Sequence, residues 1–264
     1  MHQLLNWLGY TSRHAPDTVW ECRDPVRSRR FSCALYLPPH PRGWLAFSCG
    51  FGGSMLDYSR LALALRSLGW GVAVLEHPGS DRADAIRLLP ERLLRPGPAL
   101  GRKVHSAANM RERPADLRLL LARLEQAFGT KKVAVAGHSF GAYTALAVAG
   151  LAVEIEGVSH RFADDRVQAV AAISFQAPGR LFAPEAFSQL TVPTLLLTGT
   201  NDHTSDGTRY QDRIRLAELL PRAKCLVLAE VGHMDFADLG RFDVAWRVAT
   251  FLHEFLSETE IGRT

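Results

Sequence analysis

The chain has 264 residues, 47% apolar and 22% charged, and its 31 Lys and Arg outweigh 27 Asp and Glu for a formal charge of +4. This is the composition of an ordinary globular protein that buries a sizeable core without metal or disulfide staples, and it excludes disorder, collagen-like repeats and disulfide-rich miniproteins. So mild a basic balance gives no argument for nucleic acid, and no apolar stretch approaches the roughly 18 residues that cross a membrane.

The N-terminal stretch MHQLLNWLGYTSRHAPD has no basic n-region, and its apolar run, Leu4 to Tyr10, is too short and interrupted for a signal peptide. A helix packed on the domain's own flank is expected there; the alternative is that Leu4, Leu5, Trp7, Leu8 and Tyr10 dip into a membrane surface, without stable insertion. Cys22, Cys33, Cys49 and Cys225 form no C-x-x-C pair, so free thiols in the reducing cytoplasm are expected, with no metal.

Short apolar runs bounded by Gly or Pro occupy 31–37, 44–48, 72–76, 132–136, 167–173, 194–198 and 224–228. Unbroken runs of this kind suit strands buried on both faces of a parallel sheet. Helical patterns alternate with them at 58–68, 114–128, 140–149, 209–220 and 243–256. In 114–128, Leu117, Leu120, Leu121 and Leu124 share one face, and Pro114 suits a first helical turn. Strand then helix, repeated, predicts an α/β fold: a doubly wound, mostly parallel sheet with helices on both faces, in one domain over 1–264.

Residues 80–113 break the alternation. They hold Pro90, Pro96 and Pro98 together with Arg87, Arg92, Arg95, Arg102, Lys103, Arg111 and Arg113. A connection this long is either a solvated excursion or a partial lid. An anion site would also fit its charge, but no Gly-rich phosphate loop accompanies it.

The sequence Gly137-His138-Ser139-Phe140-Gly141 is G-x-S-x-G, preceded by an apolar strand and followed by an Ala-rich helix. That setting makes Ser139 the candidate nucleophile on a sharp strand–helix turn whose residues two before and two after must be small. His138 is a spacer. A serine hydroxyl needs a base to take its proton, and the base needs a carboxylate to orient it. Asp202 follows the run at 194–198, and His233 follows the run at 224–228, both at strand carboxyl ends. The order Ser139, Asp202, His233 leaves room between members for further α/β units. His203 lies on the acid's own short loop, which disfavours it as the base. Asp206 and Asp235 are better read as caps, of the helix at 209 and of the last helix region.

An oxyanion hole needs two backbone N–H groups. Phe140 supplies one as the residue after the nucleophile. Phe51, in Cys49-Gly50-Phe51-Gly52-Gly53, supplies the other, and the glycines let this loop approach a substrate. Phe51, Phe140, Phe175 and Leu181 are the candidates for lining an apolar acyl pocket.

With these residues in place, the stretch from 31 to 256 resembles the α/β-hydrolase superfamily. FSCGFGGSMLDYSRLALALRSLGWGVAVLEHPGS, RERPADLRLLLARL, GHSFGAYTALAVAG, GRLF, PTLLLTGTND and GHMDF are similar to dienelactone hydrolase and platelet-activating-factor acetylhydrolase-like esterases. Chlorophyllases and cutinase-like polyester hydrolases are near relatives. The resemblance implies hydrolysis of a small-molecule carboxyl ester through Ser139, Asp202 and His233, without a cofactor. One departure stands out: that group usually has His-Gly where this chain has Cys49-Gly50. The side chain that braces the oxyanion loop is then missing, and a deformable loop is expected. An acyl-thioesterase or acyltransferase would use the same residues, with the Arg-rich segment meeting an acidic acyl carrier. A non-catalytic binding protein on the same scaffold is the third reading.

Overall fold

β1 (Thr18–Asp24) and β2 (Arg29–Tyr36) pair antiparallel, and β2 pairs antiparallel with β4 (Gly71–Leu75). From there the sheet is parallel through β3 (Trp44–Ser48), β5 (Val133–His138), β8 (Val167–Ile173), β9 (Thr194–Asn201) and β10 (Ala223–Gly232). The spatial order is β1-β2-β4-β3-β5-β8-β9-β10, with β6 (Val153–Ile155) and β7 (Val158–His160) as a small separate hairpin. The computed structural model describes residues 14–94, 104, 106–176, 181–204, 206–238, 240–259 and 261. The expected flanking helix at 4–10, and Arg95, Arg102 and Lys103 of the Arg-rich segment, lie outside the described residues.

Strands β3, β4 and β5 are buried at every position, which is why their sequences read as unbroken apolar runs. Alternate side chains feed two cores. Leu45, Phe47, Ala134 and Ala136 face α1 (Ser59–Ser67) and α7 (Phe242–Ser257). Trp44, Ala46, Val133 and Val135 face α4 (Ala107–Phe128) and α5 (Phe140–Val148), and Leu216 of α6 (Tyr210–Leu219) joins the same core. β1 makes no apolar run because TVWECRD alternates exposed and covered residues on an edge strand.

Two boundaries differ from expectation for physical reasons. Helix α4 begins at Ala107, capped by the Ser106 hydroxyl, so Pro114 lies inside it and not in its first turn. Proline has no N–H for the carbonyl four residues back, that of Met110. Tyr143 Oη donates to that carbonyl at 2.8 Å, so the gap in the ladder is filled from α5. The excursion contains two short helices, α2 (Arg82–Arg87) and α3 (Leu89–Leu94), the first capped by Asp81. It is tied to the loop after β3 by a 2.8 Å hydrogen bond from Gly52 N–H to the Ser80 carbonyl. Among the described residues no helix is long and apolar enough to cross a membrane.

Candidate active site

β5 ends at His138 and α5 starts at Phe140, so Ser139 alone makes the turn. It does so at φ 56° and ψ −121°, a backbone region that costs a non-glycine residue about 1–3 kcal/mol. The turn is locked from both sides: Ser139 N–H donates to Ile173 O at 2.8 Å, and Ala142 N–H donates to Ser139 O at 2.9 Å. A Cβ on Gly137 would overlap the Gly141 carbonyl, and one on Gly141 would overlap the Ser48 carbonyl. Both flanking positions therefore have to be glycine.

Strands β9 and β10 bring Asp202 and His233 to the same carboxyl edge. His233 Nε2 lies 3.1 Å from Ser139 Oγ, and His233 Nδ1 lies 2.9 Å from Asp202 Oδ1. The carboxylate only accepts, so Nδ1 carries the proton and Nε2 is free to accept the serine's. Asp202 is fully buried. Burial alone would raise its pKa, but the His233 hydrogen bond, the Arg213 charge and the Ser174 hydroxyl hold it down at about 2. Arg213 Nη1 is 3.2 Å from Asp202 Oδ2, and Thr198 Oγ1 donates to that oxygen at 3.1 Å. Ser174 closes the set from a left-handed backbone conformation at the end of β8. His203 is exposed, and His233 is the histidine that reaches Asp202.

Asp235 pins the turn that carries His233, accepting from Gly232 N–H at 2.7 Å and from Arg241 N–H, just before α7, at 3.2 Å. Asp206 does not cap α6. It accepts from Thr208 N–H at 3.0 Å, and Asp212 takes the Arg209 N–H that heads the helix.

The loop after β3 lies against this relay. Gly50, Phe51, Gly52, Gly53, Asp57, Tyr58, His138, Ser139, His233, Met234 and Ala237 line one cavity of about 80 Å³. Phe51 lines this cavity and Phe140 follows the serine in the chain, and among the described residues neither N–H has a backbone acceptor in a turn, loop or cap. The expected deformability of the loop is overturned. Gly50 N–H donates to Tyr58 Oη at 3.1 Å, and Tyr58 Oη in turn lies 3.0 Å from His138 Nδ1. The Cys49 carbonyl accepts from Arg113, and Gly53 N–H returns to Gly50 O at 3.2 Å. Tyr58 and His138 thus brace the loop that a histidine at position 49 would have braced, so His138 is more than a spacer. Its imidazole is buried, which with the nearby His233 pushes its pKa down to about 3 and keeps it a neutral acceptor for the Tyr58 hydroxyl.

Two further expectations are corrected. Phe175 and Leu181 do not line the cavity beside Ser139. Phe175 packs against Phe182 in a tilted contact and edge-on against Phe187 in the core, and its carbonyl receives Arg213 Nε. Leu181 is buried in the same core, and the Phe140 ring is enclosed beneath Arg113. Arg113, counted with the solvated charge of 80–113, is 1% exposed. An Arg-rich run disguised it, and only its place in the RERPAD segment, on the apolar side of a helix, could have singled it out.

Residues 39–159 match the family model described as serine aminopeptidase, S33, a span holding the Gly50–Gly53 loop and Ser139 and ending before Asp202 and His233. No curated protein sequence matches the chain significantly. Among solved structures, a thermophilic esterase from Thermogutta terrifontis with propionate bound is similar at 18% identity and TM-score 0.64, covering 94% of this chain and 96% of that one. An α/β serine hydrolase without lid from Xanthomonas campestris is similar at 20% identity and TM-score 0.62, covering 92% and 94%. The dienelactone hydrolase of Anabaena variabilis is similar at 19% identity and TM-score 0.60, covering 92% and 98%. At these identities the likeness speaks for the fold.

Proposed function

We propose that this α/β hydrolase is a serine esterase that cleaves small carboxyl esters through an acyl-enzyme. The observation that carries the reading is the continuous chain from Ser139 Oγ through His233 to Asp202, with contacts of 3.1 and 2.9 Å, opening on a cavity. Ser139 attacks the ester carbonyl as His233 Nε2 takes its proton. Asp202 orients the ring and stabilises its charged form. The Phe51 and Phe140 N–H groups bind the oxyanion. His233 then gives the proton to the departing alkoxide, and the alcohol leaves. Water, deprotonated by the same nitrogen, attacks the acyl-serine, and the acid departs as Ser139 regains its proton. A cavity of about 80 Å³, lined among others by Tyr58, His138 and Ala237, suits a short acyl group. The four free cysteines suit a reducing compartment, the cytoplasm.

The family description favours a second reading, in which the bond cleaved is a peptide bond. The Asp57 carboxylate in the cavity wall, which an α-ammonium would need, is already engaged by Arg82 and the Ser54 N–H. The test compares p-nitrophenyl acetate, p-nitrophenyl octanoate, a short acyl-thioester and an aminoacyl p-nitroanilide. The acetate is expected to turn over fastest, and Ser139→Ala is expected to be silent on all four. Preference for the anilide or the thioester would change the reaction class, and activity in Ser139→Ala would remove the reading.

A further inference from the structure

Arg113 is a cation sealed inside the protein. Among the described residues no carboxylate forms an ion pair with it, and neutral oxygens satisfy it instead. Its Nε donates to Thr144 Oγ1 at 2.9 Å, its Nη1 to Ser80 Oγ at 2.6 Å, and its Nη2 to Ser48 Oγ at 3.2 Å and to the Cys49 carbonyl. Its guanidinium carbon lies 4.3 Å from the centre of the Phe140 ring. Burying a charge without a directly paired counter-ion is expensive, and an apolar residue packed there would avoid the cost. The two segments it touches identify what the charge does. Cys49 begins the loop that carries the Phe51 N–H, and Phe140 carries the other N–H beside Ser139. The Cys49–Gly50 peptide is held at both ends, its carbonyl by Arg113 and its N–H by Tyr58 Oη.

We infer that Arg113 is the positioning residue of the oxyanion hole: one buried guanidinium fixes both donor-bearing segments relative to each other and sets its positive charge behind the site where negative charge develops. The inference rests on Ser139 being the nucleophile. Asp116, His77 and Ser48 extend the device outward. Arg29 Nη2 donates to Asp116 Oδ2 at 2.6 Å, His77 Nδ1 lies 3.2 Å from the same oxygen, and His77 Nε2 lies 2.9 Å from Ser48 Oγ. The Ser48 hydroxyl, donating to His77, must turn its lone pairs toward Arg113. The network therefore fixes the guanidinium from the side away from the cavity. Burial lowers the Arg113 pKa only to about 10, so the charge persists at neutral pH.

The test is the rate at which a fluorophosphonate labels Ser139, because phosphonylation develops negative charge in the same hole whatever the natural substrate. Wild type, Arg113→Gln, Arg113→Lys and Thr144→Val are compared, with melting temperature measured for each. Displacing the hole is expected to slow Arg113→Gln by about 100-fold. The lysine keeps the charge but cannot span the same acceptors, so Arg113→Lys should fall between it and wild type. In ester turnover the loss should appear in kcat, with KM nearly unchanged. Thr144→Val removes the arm that ties the guanidinium to Phe140's own helix, where Thr144 Oγ1 also donates to the Phe140 carbonyl at 3.2 Å, so labelling should slow in the same direction as in Arg113→Gln but by less. A folded Arg113→Gln that labels at the wild-type rate overturns the inference. If Arg113→Gln does not fold, wild-type labelling by Arg113→Lys does the same. Absence of label on wild-type Ser139 would instead remove the nucleophile reading, so the two failures are distinguishable.

Discussion

The molecule carries two serine–histidine–aspartate chains with the same internal geometry. In one, Ser139, His233 and Asp202 are linked by contacts of 3.1 and 2.9 Å; in the other, Ser48, His77 and Asp116 are linked by contacts of 2.9 and 3.2 Å. Both start from a serine at the carboxyl edge of the parallel sheet, and both orient the imidazole with Nδ1 toward a buried carboxylate. What separates them is access and charge. The His233 side chain keeps 21% of its surface and borders a cavity, whereas His77 has none. Burial, with the Arg113 charge next in weight, pushes the His77 pKa down to about 3, so it cannot hold the proton that a general base must take. Ser139 is thrust out of the sheet by its strained turn, and Ser48 stays in its strand with its hydroxyl also engaged by Arg113. Hydrogen-bond geometry alone therefore does not make a catalytic relay. On the proposed reading, a reachable serine and an imidazole bordering a cavity complete it.

Substitutions at the serines give the widest split. Ser139→Ala should reduce ester turnover by about 10⁴-fold or more with the fold intact, as expected for a group on which the whole reaction depends. Ser48→Ala should cost no more than about tenfold, since His77 and Arg113 lose one partner and the reacting atoms are untouched. Equal losses would erase the distinction. The carboxylates should divide differently. Asp202→Asn should lower kcat by about 10⁴-fold through the wrong histidine tautomer. Asp116→Asn should act mainly on stability, by about 3–5 kcal/mol, because Arg29 and Arg27 lose a buried counter-charge. Asp235→Asn should be mild in turnover. Chemical denaturation beside steady-state kinetics checks all three.

Acid separates the two relays by what is lost. In the proposed relay a protonated imidazole could not accept the serine's proton, so acid is read there in turnover. Stability follows His77 and His138, both held near 3 by burial, against 6.5 for an exposed imidazole. Between those values the unfolded chain binds two protons that the folded chain refuses. Their contribution is complete above about 6.5 and erodes as pH falls through the window, by about 1.4 kcal/mol per pH unit for each histidine. Glu76 and Asp238, whose pKa values burial raises, offset part of this in the carboxylate range. Melting temperatures from pH 7 to pH 4 should therefore decline, and should decline less in His77→Gln.

The smallest expected effect concerns Cys49. It is buried, its thiol pKa is pushed well up by that burial, and its loop is tied at several points. Native protein treated with iodoacetamide should keep full turnover and carry any label on Cys225, the one cysteine that is not fully buried. Loss of activity with label on Cys49 would mean that the loop opens in solution.

Much of this is legible in the sequence. The parallel strands announced themselves as apolar runs because both faces are covered, and Ser139 stood out because its turn demands glycine on both sides. Asp202 and His233 followed from their places after β9 and β10. The supporting shell was not legible. Tyr58, Arg213 and Ser174 reach the site from distant elements, and nothing in their local sequence marks a buried arginine or a hydroxyl aimed at a carboxylate; Arg113 is marked only by its place on the apolar side of α4. Phe175 and Leu181 were misplaced because an apolar residue near a catalytic loop reads alike whether it faces a cavity or the core behind it.

The most direct measurement of the central claim is peptide mapping of protein inactivated by a fluorophosphonate. One phosphonyl group per chain, on the peptide carrying Ser139 and absent from the peptide carrying Ser48, is the predicted result. Label on Ser48, or inactivation with Ser139 unmodified, would contradict it.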